Sequence, residues 1–400
     1  MAAALGVLVS CGSVKSGEEV VAASRDSKVV VAYVTSWSEV MPDPQYMTHI
    51  NYAFGHVNES FNGVKIDNEE RLRQIVDLRK QKPELKVLLS IGGWGSGRFS
   101  EMAANDEYRR AFAADCDRVV KEFALDGIDI DWEYPTSSMA NISSSPDDTE
   151  NFTLLMQDIR AAIGNEKELT LATVASARYI DFKAILPSVD FVNIMAYDMA
   201  SAPKHHSALY PSGHSGDITS DGAVTAHLKA GVPPSKLVMG MPFYGRGGDG
   251  YPSFQDYNKV GNTDTQYTEK WDEVAQVPYL ADKNDTLVFG FENPRSLAIK
   301  CQYILDKDLL GGMYWDYSGD NEQGDLRRTV AENLLGKPHK AKVLVLTERG
   351  GQHGGFTDAG LRWLAAEGVK GNFSITEINN ARNITEAYLS QFSLVIQLDF

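Results

Sequence analysis

The sequence predicts an α/β chain folded as a (β/α)8 barrel, and three observations carry that expectation. From residue 28 onward, short β-branched runs alternate with longer amphipathic stretches, the pattern of a parallel sheet covered by helices. Eight such runs occur before the pattern ends near Leu335. Eight strand–helix units within roughly 300 residues fit a closed barrel better than an open sheet.

In order, the runs are Val29–Thr35, His49–Val57, Lys86–Ile91, Gly127–Glu133, Leu169–Ala175, Phe191–Tyr197, Leu237–Phe243 and Gly311–Asp316. Helical candidates between them include Asn68–Gln81, Asp106–Phe123, Thr149–Ile163, Asp221–Ala230, Pro294–Lys307 and Asp325–Leu335. One connection is too long for a bare loop: about 40 residues separate Tyr244 from the run Phe289-Gly-Phe291. They hold Tyr267, Trp271 and Tyr279. They read as a small insertion between strands seven and eight, about residues 247–290, forming one wall of the active-site face. Residues 28–336 thus make up the barrel, and residues 337–341 read as a linker. Beyond it, Lys342–Thr347, Phe373–Ile378 and Leu394–Leu398 are strand candidates, with helix candidates Thr357–Glu367 and Ile384–Gln391. Three strands in roughly sixty residues bury little core, so residues 342–400 are expected to be an incomplete second α/β domain.

With 400 residues, 43% of them hydrophobic, the chain can fill one large core. A net charge of −16 without a clustered Lys/Arg stripe argues against nucleic acid as a partner and against polyanionic substrates. A neutral polymer is compatible with it, and solubility alone accounts for the acidity equally well. The three cysteines, Cys11, Cys116 and Cys301, make neither a disulfide framework nor a CxxC pair. Cys116 and Cys301 fall in helical patterns and are expected as buried free thiols. The apolar stretch Ala2–Ser10 is too short to span a bilayer and ends at Cys11. It resembles the end of a bacterial lipoprotein signal peptide. Residues 1–27 are then expected to be signal and tether, with a lipid on Cys11 as the membrane contact and a place in the bacterial cell envelope, lipid-anchored or secreted. The competing reading is a disordered N-terminus.

The fourth run holds Asp129, Asp131 and Glu133 at alternate positions. Side chains alternate along a strand, so the three carboxylates share the barrel interior while Ile128, Ile130 and Trp132 point outward under the helices. Stacked carboxylates repel and lose solvation, which raises at least one pKa. A carboxyl group kept protonated near neutral pH is what protonation of a glycosidic oxygen needs. Glu133 lies at the C-terminal strand end, the face where barrel active sites sit.

Six motifs, in order over residues 28–335, carry a resemblance. Asp126-x-x-Asp129-x-Asp131-x-Glu133 resembles the signature of the family 18 glycoside hydrolases, the chitinases and their relatives. Asn51-Tyr-Ala-Phe54, Lys86-Val-Leu-Leu-Ser-Ile-Gly-Gly-Trp94, Met195-Ala-Tyr197-Asp198, Gly240-Met-Pro-Phe-Tyr-Gly-Arg246 and Gly311-Gly-Met-Tyr-Trp315 resemble its motifs on strands two, three, six, seven and eight.

The resemblance implies a retaining hydrolase of β-1,4-linked N-acetylglucosamine polymers, chitin or chito-oligosaccharides. Such enzymes use the substrate's own acetamido oxygen as nucleophile, an exception to the two-carboxylate scheme. It implies Glu133 as general acid and then base, and Asp131 as the group that orients the acetamido substituent. Asp129 would share a proton with Asp131, with Asp126 supporting the network and Ser90 beneath the carboxylates. Tyr197 would donate to the amide carbonyl, with Asp198 assisting and Met195 beside the substrate. Trp315 would floor the central sugar subsite, because an indole face offers a rigid apolar surface to sugar C–H bonds. Trp94 would stack on a neighbouring sugar. Tyr33, Trp37, Tyr134 and Tyr244 are further aromatic candidates. Arg246 is either a substrate-side donor or a salt-bridge partner within the insertion.

Neither cofactor nor metal is expected. His205 and His206 form a vicinal pair without a third ligand at suitable spacing and read as solvated loop residues. The expected partner is the glycan, and the expected state a monomer. Two other readings stay open: an endo-β-N-acetylglucosaminidase acting on N-glycan cores, and a non-catalytic sugar-binding protein of the same fold. In the tail, Lys342-Val-Leu-Val-Leu-Thr347, His353-Gly-Gly-Phe-Thr357 and Leu394-Val-Ile-Gln-Leu-Asp399 resemble the start of a trehalose-utilisation-type (ThuA-like) domain.

Overall fold

The computed structural model describes residues 28–248, 251–260, 266–336 and 341–347, with further stretches between 359 and 398. Cys11 with the lipid expected on it, residues 337–340 of the linker, and most of the two expected tail helices lie outside the described residues.

The eight runs form eight parallel strands of one sheet. They are β1 (Val29–Thr35), β2 (His49–Val57), β3 (Lys86–Gly92), β4 (Gly127–Asp131), β5 (Glu168–Val174), β6 (Phe191–Met195), β7 (Leu237–Pro242) and β8 (Gly311–Trp315). β1 pairs with both β2 and β8, which closes the sheet into a barrel. A short antiparallel strand, Val64–Ile66, extends the sheet beside β2. β4 and β6 stop earlier than the alternation implied, so Glu133 and Tyr197 stand on the loops that leave them.

The period-two pattern does the sorting. Ile128 and Ile130 are fully buried outside the barrel, and Trp132 stacks on Phe99 at 5.3 Å and meets Phe152 edge-on. Asp129, on the other face, is fully buried inside it. The helices begin where local chemistry starts them. Asn105 accepts from the Glu107 and Tyr108 amides to open helix Asp106–Glu122, which carries Asp106 and Glu107 in its first turn and Lys121 in its last. Pro294 opens the helix Pro294–Asp306 behind an Asn293–Ser296 capping box. Loss of such a cap costs about 1 kcal/mol. Helices Phe99–Ala104 and Phe182–Ile185 are too short for periodicity to reveal. Cys116 and Cys301 are buried free thiols on two of the covering helices.

The insertion is a five-stranded antiparallel sheet ordered Gln255–Asp256, Tyr244–Gly247, Leu287–Gly290, Val277–Ala281, Thr268–Asp272. It starts before residue 247, so Tyr244 and Arg246 belong to its first strand rather than to the barrel. In the tail, Ala341–Thr347 lies between Phe373–Ile378 and Leu394–Leu398 in a three-stranded parallel sheet. Among the described residues no helix is long and apolar enough to cross a membrane.

Candidate active site

The carboxylate stack is built from the barrel wall outward. Asp129 takes four hydrogen bonds, from Tyr33 Oη at 2.9 Å, Ser90 Oγ at 2.8 Å, Thr170 Oγ1 at 2.6 Å and Asn193 Nδ2 at 3.3 Å. Those donors stand on β1, β3, β5 and β6. Burial raises the Asp129 pKa, and the four donors hold part of that rise back. Both Asp129 oxygens are occupied, so Asp131 meets it as a like charge. Asp131 Oδ1 has no hydrogen-bond partner. Burial first, then the charges of Glu133 and Asp129, push the Asp131 carboxyl well above its ordinary value.

Glu133 stands above them at the floor of the cleft. Burial, with the charge of Asp198 adding to it, pushes its pKa up to about 7. The Ser90-Ile-Gly-Gly run explains how the chain closes here. Gly92 has φ +134°, and a Cβ on it would sit 1.9 Å from the Asp131 carbonyl oxygen. A Cβ on Gly93 would sit 2.7 Å from the Phe54 ring. Only glycine lets the end of β3 pack against β4 in this way.

Opposite Glu133, Arg246 grips Asp198 with Nε and Nη2, both at 2.7 Å. Burial alone would raise the Asp198 carboxyl, but Arg246 and the buried His206, whose Nδ1 lies 3.4 Å away, hold it well below its ordinary value. Asp198 is therefore a fixed negative charge facing Glu133. A general acid works while it holds its proton, so activity should be full below about pH 7 and fall as the pH rises through that value. Asp198→Asn deletes a charge that raises the Glu133 pKa, so the alkaline limb of kcat/KM should move to lower pH. An alkaline limb that stays in place would show that Asp198 does not act on Glu133.

The cleft encloses about 710 Å³. Trp315 stacks on Phe54 at 5.5 Å and touches Tyr33 and the exposed Trp37, at 5.6 and 6.4 Å. Across from this group, Tyr134 stacks on Tyr179 at 5.6 Å and meets the exposed Trp94 edge-on. Met195, Tyr197 and Tyr244 line the space between. Among the described residues the Tyr197 hydroxyl donates to the Met313 sulfur, at 3.9 Å, a weak acceptor that leaves the donor open to a ligand. Among the described residues no three His, Cys, Asp or Glu side chains cluster as metal ligands.

Residues 29–320 match the family described as Glycosyl hydrolases family 18. The chain belongs to that family. Chitinase A1 of Niallia circulans is 30% identical over 409 residues, covering 76% of this chain and 58% of that protein. The chain thus spans little more than half the length of this relative. Chitotriosidase-1 of Mus musculus is 31% identical over 350 residues, covering 74% of each chain. A solved family 18 N-acetylglucosaminidase from Paenibacillus barengoltzii superposes with a TM-score of 0.71 at 32% identity, covering 76% of this chain and 99% of that one.

The family 18 barrel does not gather every residue the sequence pointed to. Asp126 is no part of the carboxylate stack. It sits where the chain enters β4, accepts from the Val87 amide at 2.7 Å and pairs with Arg79, so it ties the far end of the barrel together. Tyr33 is a donor to Asp129 first and an aromatic surface second. Arg246 is committed to Asp198. His205 and His206 are not solvated: the insertion covers their loop, and both are buried. His205 Nε2 reaches Asp272 at 3.2 Å, and burial pushes its pKa down to about 4.

Sequence reasoning missed Thr170 and Asn193, which the family 18 barrel turns toward Asp129. A signal existed: Asn193 is a polar residue in the middle of an apolar five-residue strand. Met139, Arg178, Tyr179 and Phe254 also line the cleft. They come from rim loops, and nothing in their spacing marks them.

Proposed function

We propose that this family 18 glycosyl hydrolase cleaves β-1,4-linked N-acetylglucosamine polymers by substrate-assisted catalysis. The observation that carries the reading is Glu133. It is a buried acid pushed up to about 7, with Asp131 beneath it and sugar-sized aromatic walls on both sides. Glu133 protonates the glycosidic oxygen as the C1–O bond breaks. Asp131 holds the acetamido N–H, and Tyr197 donates to its carbonyl, whose oxygen closes on C1. Water then opens that ring from the other side and gives its proton to the Glu133 carboxylate.

The names of the relatives support a chitin-type substrate. The test is competition between chito-oligosaccharides and a high-mannose glycopeptide, followed by mass spectrometry. Rapid shortening of the oligomers with the glycopeptide left intact is the expected result. Cleavage confined to the glycopeptide core would move the substrate to N-glycans. Cleavage of neither would leave a sugar-binding protein.

A further inference from the structure

We propose that the cleft rim formed by the loops after β3, β4 and β5 is a subsite for a sugar bearing a carboxylate, with Arg178 as its cation. This rests on the reading of the cleft as a glycan-cleaving site. Two arginines line the cleft, Arg178 and Arg246. Arg246 is neutralised by its two bonds to Asp198. Arg178 is exposed, and among the described residues no hydrogen bond or ion pair engages it. Elsewhere in this acidic chain Arg109, Arg118, Arg160 and Arg327 each hold a carboxylate.

The backbone around Arg178 is held at a cost. Ala177 and Tyr179, on either side of it, have φ of 57° and 73°, left-handed values that side chains other than glycine adopt only under constraint. What they achieve is the stack of Tyr179 on Tyr134, the residue that follows Glu133. Arg178 thus rides on the same platform as the acid.

Topology sets the polarity of the groove. In the ring of strands β5 lies opposite β1, so Arg178 faces the uncharged Trp37–Phe54–Trp315 group across Glu133. One end of the cleft is apolar and uncharged, the other cationic. A guanidinium presents a planar fork that matches a carboxylate. The overall charge of −16 repels polyanions, so a single acidic group on an otherwise neutral oligosaccharide is the class that fits.

The test compares a neutral chito-oligosaccharide with two derivatives. One is oxidised to an aldonic acid at its reducing end, the other to a uronic acid at its non-reducing end. For each, kcat/KM is measured in the wild-type chain and in Arg178→Gln at low salt. For one derivative the acid-to-neutral ratio should fall about fivefold in the variant, the size expected of an exposed ion pair. In the wild-type chain, that ratio should fall likewise when salt is raised. Ratios equal in both proteins for both acids, or an equal loss on neutral and acidic oligomers, would overturn the proposal. A wild-type chain that cleaves no oligomer at all would instead sink the glycan-cleaving reading on which it rests.

Discussion

Glu133→Gln is expected to lower kcat by about 100- to 10,000-fold while leaving substrate binding in place, the range a positioned general acid contributes. The amide keeps the shape of the carboxyl and removes the proton. Glu133 is nine-tenths enclosed and shifted upward mainly by burial, so a neutral side chain fits its site without new strain. Calorimetric titration with a chito-oligosaccharide should show affinity close to that of the wild-type chain. Full activity in the variant would mean that the proton comes from elsewhere, and a loss of both binding and fold would leave Glu133 with a structural role only.

Asp131→Asn comes second in expected size. Asp131 has one oxygen without a partner, lies among like charges and is pushed well above its ordinary pKa. Such a group is costly to keep unless something arrives that it can hold, and an acetamido N–H answers that need. Its loss should cost on the order of 3 kcal/mol in the barrier, about 100-fold in kcat, as for other preorganised electrostatic groups. The same reasoning fixes the stereochemistry. If the acetamido oxygen attacks first and water second, two inversions at C1 return the β-anomer. Proton NMR of fresh hydrolysate reads this directly. Cello-oligosaccharides, which lack the acetamido group, should remain intact. An α-anomer as first product, or cleavage of cello-oligosaccharides, would require a different nucleophile.

The barrel was legible in the sequence because its signals are local. Alternation in Gly127–Asp131 decides which side chains face inward, and Asn105 and Pro294 mark helix starts without help from distant residues. The carboxylate stack was legible for the same reason, since Asp129, Asp131 and Glu133 sit on one strand and the loop leaving it. Contacts between distant segments were not legible. The pairing of Asp126 with Arg79, 47 positions earlier, is one of them, and it holds Asp126 at the other end of β4, away from the stack. Arg246 and Asp198 are 48 residues apart, and only the folded insertion brings them together. Burial of His205 and His206 likewise depends on a sheet that begins some forty positions later.

Asp129 is fully buried and does not line the cleft, yet it joins donors from β1, β3, β5 and β6 on a single carboxylate. The alignment of the acid is thereby inherited from the barrel wall, while much of the remaining cleft surface, including Trp37, Trp94, Tyr134, Arg178 and Tyr179, comes from the rim loops. Such a division lets the rim be rewritten: the insertion can lengthen, an aromatic platform can be recut, an arginine can be gained or lost, and the chemistry carries over unaltered. The wall has no such freedom, because a change at Asp129 disturbs four strands at once and no loop can make it good. Change on this scaffold is therefore absorbed more easily by the loops than by the wall.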